Sequence, residues 1–218
     1  MNQSKVEIKE RIRAFWDNPN HKYDAGHGVN DPIEKDMWIE AMAQLLGPDK
    51  DLRILDIGTG TGFLALLLAE MGYNVVGVDW AKNKIQLAKD KAANAKIPVT
   101  FEIQDAETLS FPDGSFDAVV SRHVIWTLAD PLAAARDWIR VVRPGGLIIA
   151  DVPPKKSHAG SHHFGAEVGR NLPFYNGADP ENIVEMFKVA GIGKLDTLIL
   201  ERNDNQGRTT LLVHGQKT

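Results

Sequence analysis

"RILDIGTGTG", residues 53–62, is an apolar run that continues into an acid and three glycines at alternate positions. This short apolar run, closed by turn residues, predicts a strand over Arg53–Ile57, and the apolar segment after the glycines predicts a helix over Gly62–Glu70. Glycines at such a strand-to-helix turn permit positive φ, and they let a ligand approach the backbone because no Cβ stands in the way. The stretch therefore predicts a ligand-binding turn in an α/β fold.

The alternation of strand and helix continues downstream of this turn. Strands are predicted at Asn74–Asp79, Val99–Ile103, Phe116–Ser121 and Gly146–Asp151, and helices at Ala81–Ala95 and Pro131–Val142. This order is typical of a parallel sheet with right-handed crossovers and helices on both faces. In such sheets ligands bind beyond the carboxyl ends of the strands, where the strand order reverses.

Residues 1–50 are predicted to form an N-terminal helical cap of two helices. The first helix begins with a capping box of Ser4 and Glu7. The second begins at Asp31 and Pro32, with Glu34 completing another capping box. A loop that contains Tyr23 and His27 joins the two helices, so this loop and the cap precede the first strand.

The C-terminal part departs from the strand–helix order. After a cofactor-binding core over 51–152, residues 153–179 are rich in Gly, His and Pro, and we interpret this stretch as a lid-like insertion. Residues 180–218 predict a helix and then a hairpin, which places one antiparallel strand at the end of the parallel sheet. We expect all of 1–218 to form one domain.

Composition excludes several classes of function. The net charge is −4 and no basic block stands out, which argues against a dedicated nucleic-acid or membrane-surface binder. The chain has no cysteine, so disulfides, thiolate metal sites and cysteine nucleophiles are excluded. The stretch "MNQSKVEIKE" contains no apolar signal segment, and we expect a cytoplasmic protein that is a monomer or a homodimer.

Acids end two further predicted strands, Asp79 the second and Asp105 the third. Asp79 lies about twenty residues beyond the first glycine, the position of a carboxylate that accepts the ribose hydroxyls of a nucleoside. Asp105 can accept from an exocyclic amine while the amide of Ala106 donates to a ring nitrogen, a pairing that recognises adenine. The glycine turn itself carries no lysine or arginine, which favours a neutral or cationic nucleoside over a phosphate.

The glycine spacing also departs from the dinucleotide fingerprint. That fingerprint places its third glycine three residues after the second, whereas Gly62 follows Gly60 by two. Asp79 is compatible with a dinucleotide, however, so a nicotinamide-dependent oxidoreductase stays open as an alternative.

Four motifs in order carry a family resemblance: "ILDIGTGTG", "VVGVDWA", "QDAETLSFPDGSFDAVVSRHVIW" and "RVVRPGGLIIAD". From about Arg53 to Asp151 the chain resembles the class I S-adenosylmethionine-dependent methyltransferases, in their small-molecule, methyltransferase-11-like branch. The resemblance implies a Rossmann-like, seven-stranded, mostly parallel sheet with an antiparallel last strand. It also implies S-adenosylmethionine as cofactor, S-adenosylhomocysteine as product, and methyl transfer to a small-molecule acceptor by in-line displacement.

The resemblance implies roles for particular residues. Asp56 and the turn of Gly58, Thr59, Gly60 and Gly62 would surround the methionine part of the cofactor. Asp79 would hold the ribose, Trp80 would flank the adenine, and Asp105 with Ala106 would read its edge. The remaining cofactor contacts would come from Tyr23, Glu107 and Arg122.

A general base is needed only if the acceptor carries a proton at its reacting atom. We expect His123 and His27 as candidates for this base, and His158, His162 and His163 are further candidates. Because Gly160 lies between His158 and His162 and no glutamate accompanies them, we expect no metal site there.

Several readings stay open. Tyr23 could instead anchor its loop by packing, and Trp126 is expected to pack against the following helix rather than on a substrate. Phe164, Phe174 and Tyr175 would give the lid its apolar contacts. A protein that binds the nucleoside without turnover is an alternative to the enzyme, and the acceptor and its methylated atom are undetermined.

Overall fold

The computed structural model describes residues 4–20, 24, 29–155, 164–201 and 209–218. Its strands are β1 (Arg53–Ile57), β2 (Asn74–Asp79), β3 (Thr100–Ile103), β4 (Phe116–Ser121), β5 (Val142–Asp151), β6 (Lys194–Glu201) and β7 (Thr209–Gln216). The described helices are α1 (Lys5–Trp16), α2 (Pro32–Leu46), α3 (Phe63–Glu70), α4 (Lys82–Ala95), α5 (Pro131–Val141), the single turn α6 (Ala166–Gly169) and α7 (Pro180–Ala190). A 3₁₀ turn covers Ile125–Thr127.

The seven described strands form one sheet in the order β3-β2-β1-β4-β5-β7-β6. Strands β1 to β5 are parallel, and β1 pairs with both β2 and β4. The strand order therefore reverses at β1 and β4, and a crevice opens beyond their carboxyl ends. The predicted Rossmann-like sheet is confirmed.

The C-terminal hairpin adds β7 antiparallel to β5, and β6 antiparallel to β7. The expected antiparallel strand is present, but it lies one position in from the edge rather than at the end of the sheet. Strand β6 crosses to the outside, and β7 returns between β6 and β5, where both of its edges find hydrogen-bond partners.

Helices cover both faces of the sheet, because successive residues of each central strand point to opposite sides. Ile54 of β1 faces a cluster with α2, α3 and α4, whereas Leu55 faces a cluster with α5 and α7. Trp38 of α2 and Trp138 of α5 are each 1% exposed, one on each face. Burial of an aromatic side chain of this size stabilises the fold by roughly 2–3 kcal/mol.

The ends of the first two helices follow from their sequences. Ser4 and Glu7 form the predicted capping box of α1. At α2 the side chain of Asp31 accepts from the amide of Ile33, and Pro32 occupies the first turn. The predicted second capping box is wrong, because the Glu34 side chain turns into the buried interior, where its Oε1 accepts from Trp38 Nε1 at 3.0 Å.

Helix α1 packs over the strand ends rather than on the sheet faces. Its Ile8 and Ile12 share a third apolar cluster with Phe164, Leu172 and Tyr175. Helix α1 and the segment after β5 therefore meet above the crevice and together form its upper wall, whereas α2 packs on a face of the sheet.

Candidate active site

A cleft with about 900 Å³ of space, part of it open solvent, lies at the carboxyl ends of the parallel strands. The predicted site residues that line it are Asp56, Gly58, Thr59, Gly60, Asp79, Trp80, Asp105, Ala106, Glu107, Arg122 and His123. The cleft is also lined by residues that were not predicted from the sequence, among them Trp16, Phe63 and Lys84. Tyr23 and His27 lie outside the described residues.

The three glycines of the turn are required for different physical reasons. All have positive φ, +67° at Gly58, +54° at Gly60 and +90° at Gly62. A Cβ on Gly58 would come within 2.2 Å of Val124 Cγ2, and one on Gly62 within 3.3 Å of Ala88 Cβ. A Cβ on Gly60 would meet nothing closer than a carbonyl oxygen at 4.0 Å. Only Gly60 leaves open space, whereas the other two allow close packing.

Asp56, at the end of β1, is 2% exposed and supports the glycine turn from below. Its Oδ2 accepts from Thr59 Oγ1 at 2.6 Å and from the amide of Ala65 at 3.1 Å. Burial raises the pKa of Asp56 to about 7, although these two hydrogen bonds oppose that effect. A buried carboxyl that titrates near neutrality therefore lies directly beneath the turn.

Asp79, at the end of β2, is held by two backbone amides. Its Oδ2 accepts from Gly60 at 3.0 Å and its Oδ1 accepts from Ala81 at 2.9 Å. Burial raises the pKa of Asp79, while these bonds and the nearby Lys84 ammonium lower it. Lys84 is 5% exposed. It was not predicted as a neighbour of these acids, because the charge argument from the sequence considered only the residues of the glycine turn.

A lysine from the N-terminal cap lies at the acids expected to read adenine. Lys9 Nζ is 2.5 Å from Asp105 Oδ2 and 3.2 Å from Glu107 Oε2. Asp105 itself follows β3 by two residues instead of ending it, and its Oδ1 accepts from the Glu107 amide. The acids of this cleft therefore have cationic neighbours that come from α1 and α4, which corrects the charge argument made from the glycine turn.

Arg122 and His123 follow β4 and lie at the inner end of the cleft. Arg122 Nη2 is 3.1 Å from Glu34 Oε1, and the guanidinium carbon stands 4.4 Å from the centre of the Phe63 ring. Both members of this ion pair are buried, so Arg122 is fixed by α2 and α3.

His123 has φ +62°, and its amide donates to Asp151 Oδ1 at 2.8 Å. Its Nε2 is 3.7 Å from Asp151 Oδ2. Burial raises the pKa of Asp151 to about 6. Asp151 was missed, although it carries the signal that found Asp56 and Asp79, an acid at the carboxyl end of a parallel strand.

Aromatic side chains form the upper wall. Trp126 stacks on Phe164 with ring centres 5.5 Å apart, and its edge meets Trp16 at 6.0 Å. Tyr175 is 5.9 Å from Phe164. The prediction that Trp126 packs on the following helix is wrong, because α1 and the segment after β5 cover it instead. Phe174 packs on the α5 and α7 side of the sheet.

The inter-helix loop meets the glycine turn at one described residue. Asp24 accepts from Thr61 Oγ1 and from Lys91 Nζ, both at 2.6 Å. Burial pushes the pKa of Asp24 up, but these two partners bring it below its usual value. The predictions for His158, His162 and His163 fall outside the described residues.

The described residues offer neither a metal cluster nor a membrane-spanning helix. Within those ranges, no group of three or more His, Cys, Asp or Glu side chains could hold a metal ion. No helix among them is both long and apolar enough to cross a membrane.

Comparison with known proteins identifies the family. Residues 55–150 match the family model described as a methyltransferase domain. A demethylmenaquinone methyltransferase of Thermus thermophilus is 41% identical over 128 residues, which are 57% of this chain and 58% of that relative. A ubiquinone biosynthesis O-methyltransferase of Cereibacter sphaeroides is 30% identical over 201 residues, which are 86% of this chain and 81% of the relative.

A solved structure gives the same result for the fold. Phosphoethanolamine N-methyltransferase 2 of Haemonchus contortus, in complex with S-adenosyl-L-methionine, superposes with a TM-score of 0.68 at 20% identity, over 94% of this chain and 60% of that one. These matches exclude the nicotinamide-dependent alternative. The chain belongs to the S-adenosylmethionine-dependent methyltransferases.

Proposed function

We propose that this methyltransferase acts on a small aromatic molecule that carries a hydroxyl group, such as a hydroquinone or a phenol. One observation carries the proposal: an imidazole beside a buried carboxylate, His123 and Asp151, lies in the same cleft as the glycine turn. A hydroxyl is the kind of acceptor that has a proton to lose, and a phenolic hydroxyl loses it more readily than an aliphatic one. An imidazole is the side chain best suited to take it near neutral pH.

The residues present fit the cofactor. The open side of Gly60 leaves room for an amino-acid tail against the backbone, and Asp56 beneath the turn suits its positive charge. Asp79 would accept from the ribose hydroxyls, and Trp80 would flank the adenine. Asp105, with the amide of Ala106, would bind the edge of that base.

Other predicted residues have supporting roles in this proposal. Glu107 Oε1 accepts from the amides of Ala129 and Asp130 at 2.7 and 3.2 Å, so it would fix the loop that closes the adenine end. Thr59 and Gly58 would shape the turn, and Gly62 would pack it against α4. Arg122 would hold α2 against the inner end of the cleft. Tyr23 and His27 stay predictions.

When bound, S-adenosylmethionine supplies a methyl group on a positively charged sulfur. The residues of the protein would align the acceptor, exclude water and remove a proton. Alignment alone accounts for several kcal/mol of the barrier in reactions of this kind. His123 would take the proton of the acceptor hydroxyl, and Trp16 with the wall above it would keep bulk water out of the cleft.

The relatives support an aromatic acceptor. Those reported above are named for demethylmenaquinone and for ubiquinone biosynthesis, molecules of the quinone class. Trp16 lines the cleft and gives a flat ring an apolar partner, and Trp126, Phe164 and Tyr175 support it in the same apolar cluster. Because the chain spans only 58% of the first relative's length, the acceptor of that relative is not carried over as such.

Methyl transfer from radiolabelled S-adenosylmethionine to a set of catechols, hydroquinones and phenols tests the proposal. Matched acceptors with each hydroxyl already methylated serve as controls. We expect label on the free hydroxyl compounds and none on the controls. Binding of S-adenosylhomocysteine without transfer to any acceptor would favour the alternative of a nucleoside-binding protein without turnover.

Two further expectations stay proposals. We place the protein in the cytoplasm and expect a monomer or a homodimer. Fractionation of cells and light scattering of the purified chain are the direct measurements.

A further inference from the structure

One buried carboxylate contacts His123 at two points. Asp151 Oδ1 accepts from the backbone amide at 2.8 Å, while Oδ2 lies 3.7 Å from the imidazole Nε2. The Asp151 side chain is 3% exposed, whereas the imidazole is 29% exposed and lines the cleft. The carboxylate is therefore inside the protein, and the group it faces reaches the surface of the cleft.

The backbone at His123 is unusual. Among the described residues other than glycine, only His123 and Lys96 have positive φ, and Lys96 ends a helix. A left-handed residue with a side chain costs about 1–2 kcal/mol, so it persists where its surroundings hold it. The bond to Asp151 is such a restraint, and it turns the amide and the imidazole of His123 toward the same carboxylate.

The charged groups around this pair come from three neighbouring elements. Arg122 precedes His123, Glu34 enters from α2, and Asp56 lies at the end of the adjacent strand β1. Burial raises the pKa of Asp151 to about 6, Arg122 acts against that rise and Glu34 adds to it. Asp151 Oδ2 lies 3.7 Å from His123 Nε2, so the charge on the carboxylate acts directly on the imidazole.

We propose that Asp151 is a positioning residue for His123, which it orients in the cleft and stabilises when the imidazole gains a proton. The inference rests on the proposed function, in which that proton comes from the acceptor hydroxyl. The proton moves from the oxygen to the imidazole, the oxygen keeps the electron pair of the O–H bond, and the resulting imidazolium faces the carboxylate. The proton then leaves to solvent after turnover.

A purely structural role for Asp151 makes a different prediction. In that case the carboxylate only fixes the turn after β4, through the His123 amide, and the charge on it is irrelevant. Asp151→Asn separates the two roles, because the Asn Oδ1 still accepts from the amide while the negative charge is lost.

The experiment is an NMR titration of the His123 imidazole in the whole chain, assigned by comparison with His123→Gln. Asp113→Asn is the control, since Asp113 is 80% exposed and pairs with Arg140 away from the cleft. We expect Asp151→Asn to lower the proton affinity of the imidazole about tenfold, since it removes a neighbouring opposite charge. Asp113→Asn should leave that affinity as it is. An unchanged titration in a folded Asp151→Asn protein would overturn the proposal.

A double-mutant cycle on kcat adds a second readout. If Asp151 acts through His123, Asp151→Asn slows the enzyme in the wild-type background and has no further effect in His123→Gln. Additive losses would contradict the proposal. Should Asp151→Asn fail to fold, Asp151→Ser takes its place, since its hydroxyl retains an acceptor. Because the NMR titration needs neither cofactor nor acceptor, a failure of the proposed function, seen as no transfer by wild type, is distinct from a failure of this inference.

Discussion

The backbone amide of Gly60 donates to Asp79 Oδ2 at 3.0 Å, and this bond joins the turn after β1 to the end of β2. The other carboxylate oxygen accepts from Ala81, which opens α4. The shape of the glycine turn and the orientation of the acid are therefore coupled. A change at either residue should alter the cofactor site while the sheet below stays intact.

Gly60→Ala should weaken binding of S-adenosylhomocysteine at least about tenfold, because the new methyl group enters the open space of the cleft. The fold should lose only about 1–2 kcal/mol, since φ is +54° and no atom lies within van der Waals contact. Titration calorimetry and thermal melting measure the two effects. Gly114→Ala is the control: φ is +65°, a Cβ would make only ordinary contact at 3.6 Å from Arg143 Cα, and the residue precedes β4, at the end of the sheet opposite the cleft. Equal affinities in the two variants would contradict the assignment of Gly60.

Asp79→Ala should reduce affinity for the cofactor by about 10- to 100-fold. The ribose hydroxyls would lose a charged acceptor, and hydrogen bonds to charged groups contribute about 1.5–3 kcal/mol. Calorimetric titration with S-adenosylmethionine measures the change, and Asp90→Ala, at an exposed acid on α4, provides the comparison. If Asp79→Ala binds as tightly as Asp90→Ala, the ribose lies elsewhere.

Local sequence was sufficient for the parts of the site that belong to one strand and its turn. The apolar run of Arg53–Ile57 predicted β1, and the glycines and Asp79 were found from their spacing along the chain. Gly60 and Asp79, which contact each other directly, are 19 residues apart in the chain. The prediction of the sheet is confirmed for the same reason, because short-range periodicity determines its elements.

The missed residues reach the cleft through contacts that are distant in the sequence. Lys9 and Glu107 are 98 residues apart, and nothing in α1 indicates which acids it will meet. Trp126 was assigned to the next helix because that partner is near in the chain, whereas its observed partners Trp16 and Phe164 come from two distant segments. Which faces meet is decided by tertiary packing, and one sequence shows only that a face is apolar.

Lys9→Met should speed dissociation of S-adenosylhomocysteine several-fold. Lys9 joins α1 to Asp105 and Glu107, and Trp16 of the same helix lines the cleft. Loss of the ion pairs should therefore loosen α1, the helix that covers the cleft. Stopped-flow displacement gives the rate. Lys5→Met is the control, since Lys5 lies one turn earlier and pairs with Asp130 at the surface. Equal rates for Lys5→Met and Lys9→Met would show that the ion pairs of Lys9 do not hold α1 over the cleft.

Asp56→Asn should change how stability depends on pH. The pKa of Asp56 in the folded protein is raised to about 7, whereas in an unfolded chain it is about 4. Between those values the folded state binds more protons than the unfolded state, so stability is greatest at low pH and falls as pH rises toward 7. Asn carries no charge at any pH, and its Oδ1 can accept from both Thr59 and Ala65, because both donate to one oxygen of Asp56.

Relative to wild type, Asp56→Asn should therefore gain stability between pH 4 and pH 8, by about 4 kcal/mol for a shift of three pKa units. Part of the wild-type slope persists in the variant, because the pKa of Asp151 is also raised, to about 6. Urea unfolding at pH 4.5, 6 and 8 measures the difference, with Asp113→Asn as a control whose curve should parallel wild type. The same variant should bind S-adenosylmethionine more weakly, since a carboxylate facing the positively charged tail is lost. A folded Asp56→Asn protein with the wild-type pH slope would mean that Asp56 is already ionised at low pH, and that its burial does not hold a proton on it.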